Sequence, residues 1–156
     1  MLFEIATATK IVFGDGVASR VGELTRGLVP SGVVLLVTGR DGERASEARA
    51  SLVAAGFTIA SWQVHGEPTT EHARSAVALA REKHACAVVA IGGGSALDLG
   101  KAVAALVTHE GDPLDYLEVV GKGQPLVRDS LPFVAVPTTA GTGSEVTKNA
   151  VLAEPA

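Results

Sequence analysis

Hydrophobic positions follow two alternating patterns along this chain. Short, nearly continuous apolar runs predict buried strands at 33–38, 57–64, 86–91 and 131–136, and weaker extended segments at 2–6 and 11–13. Between the runs, apolar residues recur at helical spacing and predict helices at 17–28, 43–55, 70–84 and 96–107. Strands that alternate with helices predict an α/β fold, a doubly wound, mainly parallel sheet with helices on both faces.

Turn and cap residues punctuate these segments. Gly14-Asp15-Gly16 is expected to turn the chain, and Gly56 to end the second helix in the C′ position. Thr69 or Thr70 is expected to cap the third helix. Asp112-Pro113 predicts a short helical turn through residue 116, with a loop at 121–125.

The predicted helix 96–107 is apolar nearly all the way round, which is unusual for a helix with a solvent-facing side. The sequence ends at 151–156 without a closing helix or a charged tail. We therefore expect one α/β domain over residues 1–156, cut short at its C-terminal end, with helix 96–107 packing against a part that is missing.

Composition fits one globular domain with a substantial core. Of the 156 residues, 47% are hydrophobic and 19% are charged. A net charge of −4 with scattered Lys and Arg argues against nucleic acid as a partner. No apolar run approaches the roughly 20 residues needed to cross a bilayer, and the N-terminus lacks the basic region of a signal peptide. With a single cysteine, Cys86, these features favour a cytoplasmic protein without membrane contact.

The strongest chemical motif is Gly92-Gly93-Gly94-Ser95 with Asp98 and Lys101, where a strand runs into a helix. Glycines allow a diphosphate to approach the backbone, and the N–H groups at the start of a helix favour an anion. The spacing matches neither the dinucleotide fingerprint, which would need glycine at Leu97, nor the P-loop, which would need Ser or Thr at Ala102. The alternative is a tight turn in which Ser95 and Asp98 form a capping box, and both readings can hold together.

A second motif of small hydroxyl residues follows the last predicted strand. Residues 136–147 contain five hydroxyls and two glycines, which suit a ribose or a carboxamide better than a metal. A plain flexible loop would have a similar composition. Both motifs follow parallel strands at their carboxyl ends, where open α/β sheets bind ligands.

Together the two motifs, Gly92-Gly93-Gly94-Ser95-x-x-Asp98-x-x-Lys101 and Pro137-Thr138-Thr139-Ala140-Gly141-Thr142-Gly143-Ser144-Glu145, resemble the iron-containing (group III) alcohol dehydrogenases. The similarity runs from residue 11 to the end. It implies the NAD(P)-binding N-terminal domain of the dehydroquinate synthase-like fold, without the all-helical metal domain. By this resemblance Gly93, Gly94 and Ser95 hold the diphosphate, and Asp98 lies toward the nicotinamide. The rest of the cofactor is lined by Thr138, Thr139, Thr142, Ser144 and Val146.

The cofactor preference is indicated by Gly39 and Arg40, which follow the strand 33–38. Family members that use NAD commonly carry an Asp there, which binds the adenosine ribose and repels a 2′-phosphate. The missing acid and the nearby guanidinium favour, or at least permit, NADP, so the cofactor is expected to be NAD or NADP with NADP slightly favoured. The alternative is that Gly39 is a turn residue and Arg40 a solvated charge.

Family chemistry implies hydride transfer between the nicotinamide and a small alcohol or aldehyde, with Fe²⁺ or Zn²⁺ held by one Asp and three His of a following domain. The four histidines here lack ligand spacing, and we read them as surface or loop residues. We therefore expect the 156-residue chain to bind no metal, to bind dinucleotide weakly or not at all, and to turn over no alcohol.

Several alternatives remain open. Glycerol dehydrogenases, maleylacetate reductases and dehydroquinate synthase-type enzymes share the scaffold, although the complete segment 137–144 favours the alcohol dehydrogenases. A non-catalytic nucleotide-binding module is the alternative from another class. The predicted strand 2–6 is also available to pair across a homodimer.

Overall fold

Four parallel strands form the centre of the molecule in a computed structural model that describes residues 10–154. The strands are β1 (Val33–Thr38), β2 (Thr58–Gln63), β3 (Ala85–Gly92) and β4 (Phe133–Pro137). They lie in the order β2-β1-β3-β4, and every neighbouring pair is parallel. The predicted α/β fold and its parallel sheet are confirmed, with each strand within two residues of the predicted bounds.

Helices connect the strands. They are α1 (Val21–Arg26), α2 (Ser46–Ala54), α3 (Thr70–Glu82), α4 (Gly94–Leu106) and the short α5 (Pro113–Tyr116), with 3₁₀ turns at Val17–Arg20 and Gly42–Ala45. Thr69 caps α3 as expected: its hydroxyl accepts from the N–H of His72 at 3.1 Å. Asp112 caps α5 in the same way, accepting from Leu114. Gly56, with φ at +88°, follows α2 as predicted.

Side chains of the central strand β1 alternate between two cores, one on each face of the sheet. Leu35 and Val37 pack on the face covered by α3 and α4. Val34 and Leu36 pack on the opposite face with residues of α1 and α2. All four are fully buried, which explains why β1 is an unbroken apolar run.

The expectation that α4 packs against a missing part is not supported. No residue from 94 to 107 is exposed, and α4 contacts β1, β3, β4 and α3 of the same chain. Leu131 donates its N–H to the carbonyl of Ala104 at 2.9 Å, so the segment before β4 also runs along the helix. The apolar character of α4 is therefore explained by contacts within residues 10–154.

The N-terminal predictions were less accurate. Residues 11–13 form no strand, and 2–6 lie outside the described residues. The predicted helix 17–28 divides into a 3₁₀ turn and α1, and Leu28 is 54% exposed. Thr25 is buried instead of Leu28. Burial is possible because the Thr25 hydroxyl donates to the carbonyl of Val21 at 2.7 Å and so has a hydrogen-bond partner without water.

Strand order fixes where a ligand can bind. From β1 the chain crosses to β2 on one side, and from β3 it crosses to β4 on the other. The carboxyl ends of β1 and β3 are therefore neighbours at a topological switch point, where the two connections leave a crevice. Both the segment after Thr38 and the glycine turn after Ile91 lie there.

Candidate nucleotide-binding site

Two adjoining cavities open at this switch point and share Gly39, Arg40 and Gly93. The first, about 160 Å³, is also lined by Asp41, Ile91, Gly92 and Thr138. The second, about 400 Å³, is also lined by Val64, Gly66, Glu67, Ser95 and Ala96. Of the predicted site residues, Gly39, Arg40, Gly93, Ser95 and Thr138 are thus brought together in one crevice.

The turn between β3 and α4 depends on Gly92, which has φ at +155°. A methyl group at this position would lie 2.8 Å from the Cβ of Ala96 and 3.3 Å from the backbone nitrogen of Gly39. Gly39 itself donates its N–H to the carbonyl of Ile91 at 3.3 Å. Glycine at 92 therefore lets the ends of β1 and β3 and the start of α4 meet closely.

The start of α4 is open to an anion. Its N-cap is Gly93, with no side-chain cap, so the capping box of Ser95 and Asp98 that was the alternative interpretation is not formed. Both Ala96 and Leu97 direct their N–H groups to the Gly93 carbonyl, so the backbone itself closes the first turn. The N–H groups of Gly94 and Ser95 have no partner inside the helix and carry the positive end of its dipole.

The loop of hydroxyl residues packs against this turn. Thr138 donates its N–H to the carbonyl of Gly92 at 2.9 Å. A Cβ on Gly93 would lie 3.2 Å from the Thr139 hydroxyl, so the backbone of Gly93 passes close to that side chain. Ser144 is 8% exposed.

Thr142 and Ser144 are both near Gly94. The Thr142 hydroxyl donates to Glu145 at 3.3 Å, within the loop. Val146 is 56% exposed and lines neither cavity. The loop thus contributes Thr138 directly to the crevice and holds Thr139, Thr142 and Ser144 beside it.

Asp98 contacts other residues of the chain, and its expected position toward the nicotinamide stays a prediction. Its carboxylate pairs with Lys101 at 2.9 Å and accepts the N–H of Val151 at 3.4 Å. Lys101 also donates to the Thr147 hydroxyl at 3.1 Å and to the carbonyl of Asn149. The side chains of Asp98 and Lys101 are 14% and 9% exposed, so the pair joins α4 to residues 147–151 and lies outside both cavities.

The predicted site set omitted several cavity-lining residues, including Asp41 and Glu67, and also Gln63, which lines neither cavity but contacts the turn after β1. Glu67 places a carboxylate at the rim of the larger cavity. Gln63, the last residue of β2, donates from its side-chain amide to the carbonyls of Arg40 at 2.6 Å and Gly39 at 3.3 Å. The sequence carried part of the signal, because parallel strands end at the same edge, but it did not show that the strands 33–38 and 57–64 are neighbours.

Among residues 10–154, no three His, Cys, Asp or Glu side chains form a group suited to a metal ion. His109 corrects our reading of the histidines, since it is only 4% exposed. Its Nδ1 lies 2.8 Å from the carbonyl of Ala105, and its Nε2 accepts the N–H of Arg128 at 3.0 Å. Both ring nitrogens thus make structural contacts, one with the end of α4 and one with the loop at Arg128.

Within residues 10–154, none of the helices has the length and apolar composition of a membrane span.

Comparison with known proteins places this geometry in context. A family model described as iron-containing alcohol dehydrogenase matches residues 8–156. The 4-hydroxybutyrate dehydrogenase of Cupriavidus necator is 37% identical over 127 residues, covering 81% of this chain and 30% of that protein.

Two solved structures are also similar. The archaeal halo-thermophilic Red Sea brine pool alcohol dehydrogenase ADH/D1 superposes with a TM-score of 0.86 at 28% identity, over 99% of this chain and 41% of its own. The sulfoacetaldehyde reductase of Bifidobacterium kashiwanohense, solved with NAD⁺, has a TM-score of 0.76 at 31% identity, over 94% of this chain and 39% of its own. The chain thus spans about a third to two fifths of the length of these relatives.

Proposed function

Because this chain belongs to the iron-containing alcohol dehydrogenase family, we propose that it is the nucleotide-binding part of an NAD(P)-linked alcohol dehydrogenase. The observation that carries the proposal is the crevice at the β1–β3 switch point. There a glycine turn, an open helix start and two cavities lie together. Such a crevice is where open α/β sheets bind nucleotides.

The residues present fit a dinucleotide. The backbone of Gly93 and Gly94 and the N–H groups at the start of α4, with Ser95, are suited to a diphosphate. The larger cavity, about 400 Å³, has room for an adenosine moiety. When bound, the nicotinamide accepts or donates a hydride.

Hydroxyl groups complete the proposed cofactor contacts. Thr138 lines the smaller cavity, and Thr139, Thr142 and Ser144 lie against the glycine turn as neutral hydrogen-bonding groups. Asp98 and Val146 stay in the proposed set on family grounds alone. Asp98 already pairs with Lys101 and accepts the N–H of Val151, so a contact with the cofactor would add to these contacts or replace them.

We further propose that NADP is preferred over NAD. Arg40 lies at the rim shared by both cavities, and glycine stands at 39, where an acid would repel a 2′-phosphate. Two carboxylates, Asp41 and Glu67, also line the crevice, so the preference depends on Arg40 being closer to the phosphate than they are.

Substrate, metal and assembly belong to the proposal as well. The relatives named above act on hydroxy acids, alcohols or aldehydes by their names, and we propose a small alcohol or aldehyde substrate here. No residue of 10–154 is assigned to the Fe²⁺ or Zn²⁺ of the parent enzyme. We also propose a cytoplasmic location and a homodimeric assembly. Sedimentation velocity tests the assembly.

Nucleotide titration tests the function. Because residues 10–154 form the crevice by themselves, we narrow the expectation of weak or no binding to weak binding of NADP⁺, with Arg40→Met removing most of the preference over NAD⁺. Tighter binding of NAD⁺ than of NADP⁺ by the unsubstituted 156-residue chain would overturn the cofactor preference. Metal-dependent oxidation of alcohols by the purified 156-residue chain would overturn the expectation that it is inactive alone.

One observation favours the alternative of a stand-alone nucleotide-binding module. Helix α4 is covered by its own chain, so it presents no apolar face that requires a second domain. Dye binding separates the two: no enhancement of a hydrophobic fluorophore favours the module, and strong enhancement favours a part of a larger enzyme.

A further inference from the structure

The side chain of Gln63 holds the backbone from which Arg40 extends. Gln63 faces Thr38 across the β1–β2 pair, so its side chain starts beside the end of β1. From there its amide nitrogen reaches two successive carbonyls, those of Gly39 and Arg40, at 3.3 and 2.6 Å. Both distances lie within about 0.1 Å of the normal range for an N–H donor and a carbonyl.

The same short segment is held from its other side by β3. Gly39 donates its N–H to Ile91 at 3.3 Å, and Val64 donates to the carbonyl of Thr38 at 2.8 Å. The turn after β1 is therefore hydrogen-bonded on one side to β3 and on the other to the end of β2. Of these contacts, only those of Gln63 reach the peptide of Arg40 itself.

This matters because Arg40 is a long, exposed side chain at the rim of both cavities. A guanidinium recognises a phosphate by a planar fork of donors, which works only if its starting point is fixed. Ordering a free turn on binding would cost conformational entropy and weaken the complex. A side chain that holds the turn in place before the nucleotide binds removes this cost and so favours the complex.

We propose that Gln63 is a positioning residue for 2′-phosphate selectivity, acting through the backbone of Arg40. The proposal rests on the proposed function, in which Arg40 meets the 2′-phosphate. Gln63 itself is exposed, and its side-chain amide donates to two backbone carbonyl oxygens. Its loss should therefore change nucleotide selectivity without unfolding the sheet.

The test compares adenosine 2′,5′-bisphosphate with 5′-AMP, which differ only in the 2′-phosphate. Affinities are measured by NMR titration of the ¹⁵N-labelled chain at millimolar ligand. The variant Gln63→Met keeps the length of the side chain and removes its donor, and Gln63→Ala serves as a second variant. Ser61→Ala is the matched control, because Ser61 lies on the same strand and accepts an exposed bond from Arg49 at 3.0 Å.

We expect Gln63→Met to weaken bisphosphate binding roughly three- to tenfold, which corresponds to about 0.7 to 1.4 kcal/mol, with 5′-AMP binding unchanged. Arg40→Met should bring bisphosphate binding down to the level of 5′-AMP. In the double variant, the Gln63 change should add no further loss, because it acts through Arg40.

The outcomes separate the two proposals. If the parent chain shows no preference for the bisphosphate, the NADP preference fails and the role of Gln63 fails with it. If the preference is present but Gln63→Met and Gln63→Ala behave like Ser61→Ala, only the role of Gln63 is overturned. Equal weakening of both nucleotides, or additive losses in the double variant, would also overturn it.

Discussion

Replacing Lys101 by Met should destabilise the protein strongly, although neither Lys101 nor its partner Asp98 lines the crevice. The ammonium group pairs with Asp98 at 2.9 Å and donates to Thr147 and Asn149, at a side-chain exposure of 9%. Met has a similar length and removes the charge. The carboxylate of Asp98, itself 14% exposed, would then keep only the N–H of Val151.

The size of the effect follows from burial. Breaking a buried ion pair by removing one partner costs about 3–5 kcal/mol, because a charge is left unpaired. Partial exposure of both groups places the expectation near the lower end, about 3 kcal/mol. With a urea slope of about 2 kcal/mol per molar, the unfolding midpoint should fall by roughly 1.5 M.

Urea denaturation followed by circular dichroism measures this directly. Lys83→Met is the matched control, since Lys83 pairs with Glu82 at 2.8 Å but the two side chains are 50% and 66% exposed. Its cost should stay under about 1 kcal/mol. The double variant Asp98→Asn/Lys101→Met should recover part of the loss, because no unpaired charge remains. A Lys101→Met midpoint equal to that of Lys83→Met would refute the reasoning.

Three further predictions concern other contacts. Gly92→Ala forces a Cβ within 2.8 Å of the Cβ of Ala96 at a left-handed φ, so we expect a loss of about 1–3 kcal/mol in thermal denaturation and weaker nucleotide binding. Arg81→Met removes the guanidinium that donates to the carbonyls at the end of α4, including that of Leu106 at 3.0 Å. We expect it to lower the free energy of unfolding in urea by about 1–3 kcal/mol. Hydrogen bonding from Arg74 lowers the pKa of Asp112 in the folded protein. The pair therefore stabilises the fold above the unfolded carboxyl pKa of about 3.9, and this effect is lost as the pH falls through the folded pKa. The midpoints of Arg74→Met and the parent chain should therefore converge as the pH is lowered from about 7 toward 2.

Each of these has a clear opposing result. A Gly92→Ala protein as stable as the parent would mean that the close approach at the glycine turn is not needed. Arg49→Met removes an exposed Arg bond to Ser61, and a loss as large as that of Arg81→Met would contradict a specific role at the helix end. A gap between Arg74→Met and the parent that stays constant with pH would exclude the carboxyl of Asp112 as its source.

The fold was largely predictable because burial leaves a direct trace in the sequence. Strand β1 is covered on both faces, so every position in 33–38 except the last is apolar. Helix α3 has one buried face, and its cap Thr69 and its apolar spacing were both visible. Segments 11–13 and 17–28 were predicted less well, since short elements carry few periodic positions. In the second segment, Thr25 occupies a buried position where an apolar residue was expected, because its hydroxyl donates to a carbonyl of the same helix.

The site was only partly predictable. The glycine turn and Thr138 follow apolar strands directly, so their neighbourhood at one edge of the sheet could be inferred. Asp98 could not be placed from spacing, because its partner contacts in 147–151 depend on how a distant loop returns to α4. Gln63 required strand order, which decides that β2 rather than another strand lies beside the turn after β1.

The central claim is that nucleotide binds in the crevice between β1 and β3, and chemical-shift mapping of the ¹⁵N-labelled chain with NADP⁺ tests it most directly. The account predicts the largest amide shifts at Gly39, Arg40 and Gly93–Ser95, with Lys83 at the far end of α3 unaffected. Shifts confined to other surfaces, or no shift at millimolar NADP⁺, would contradict it.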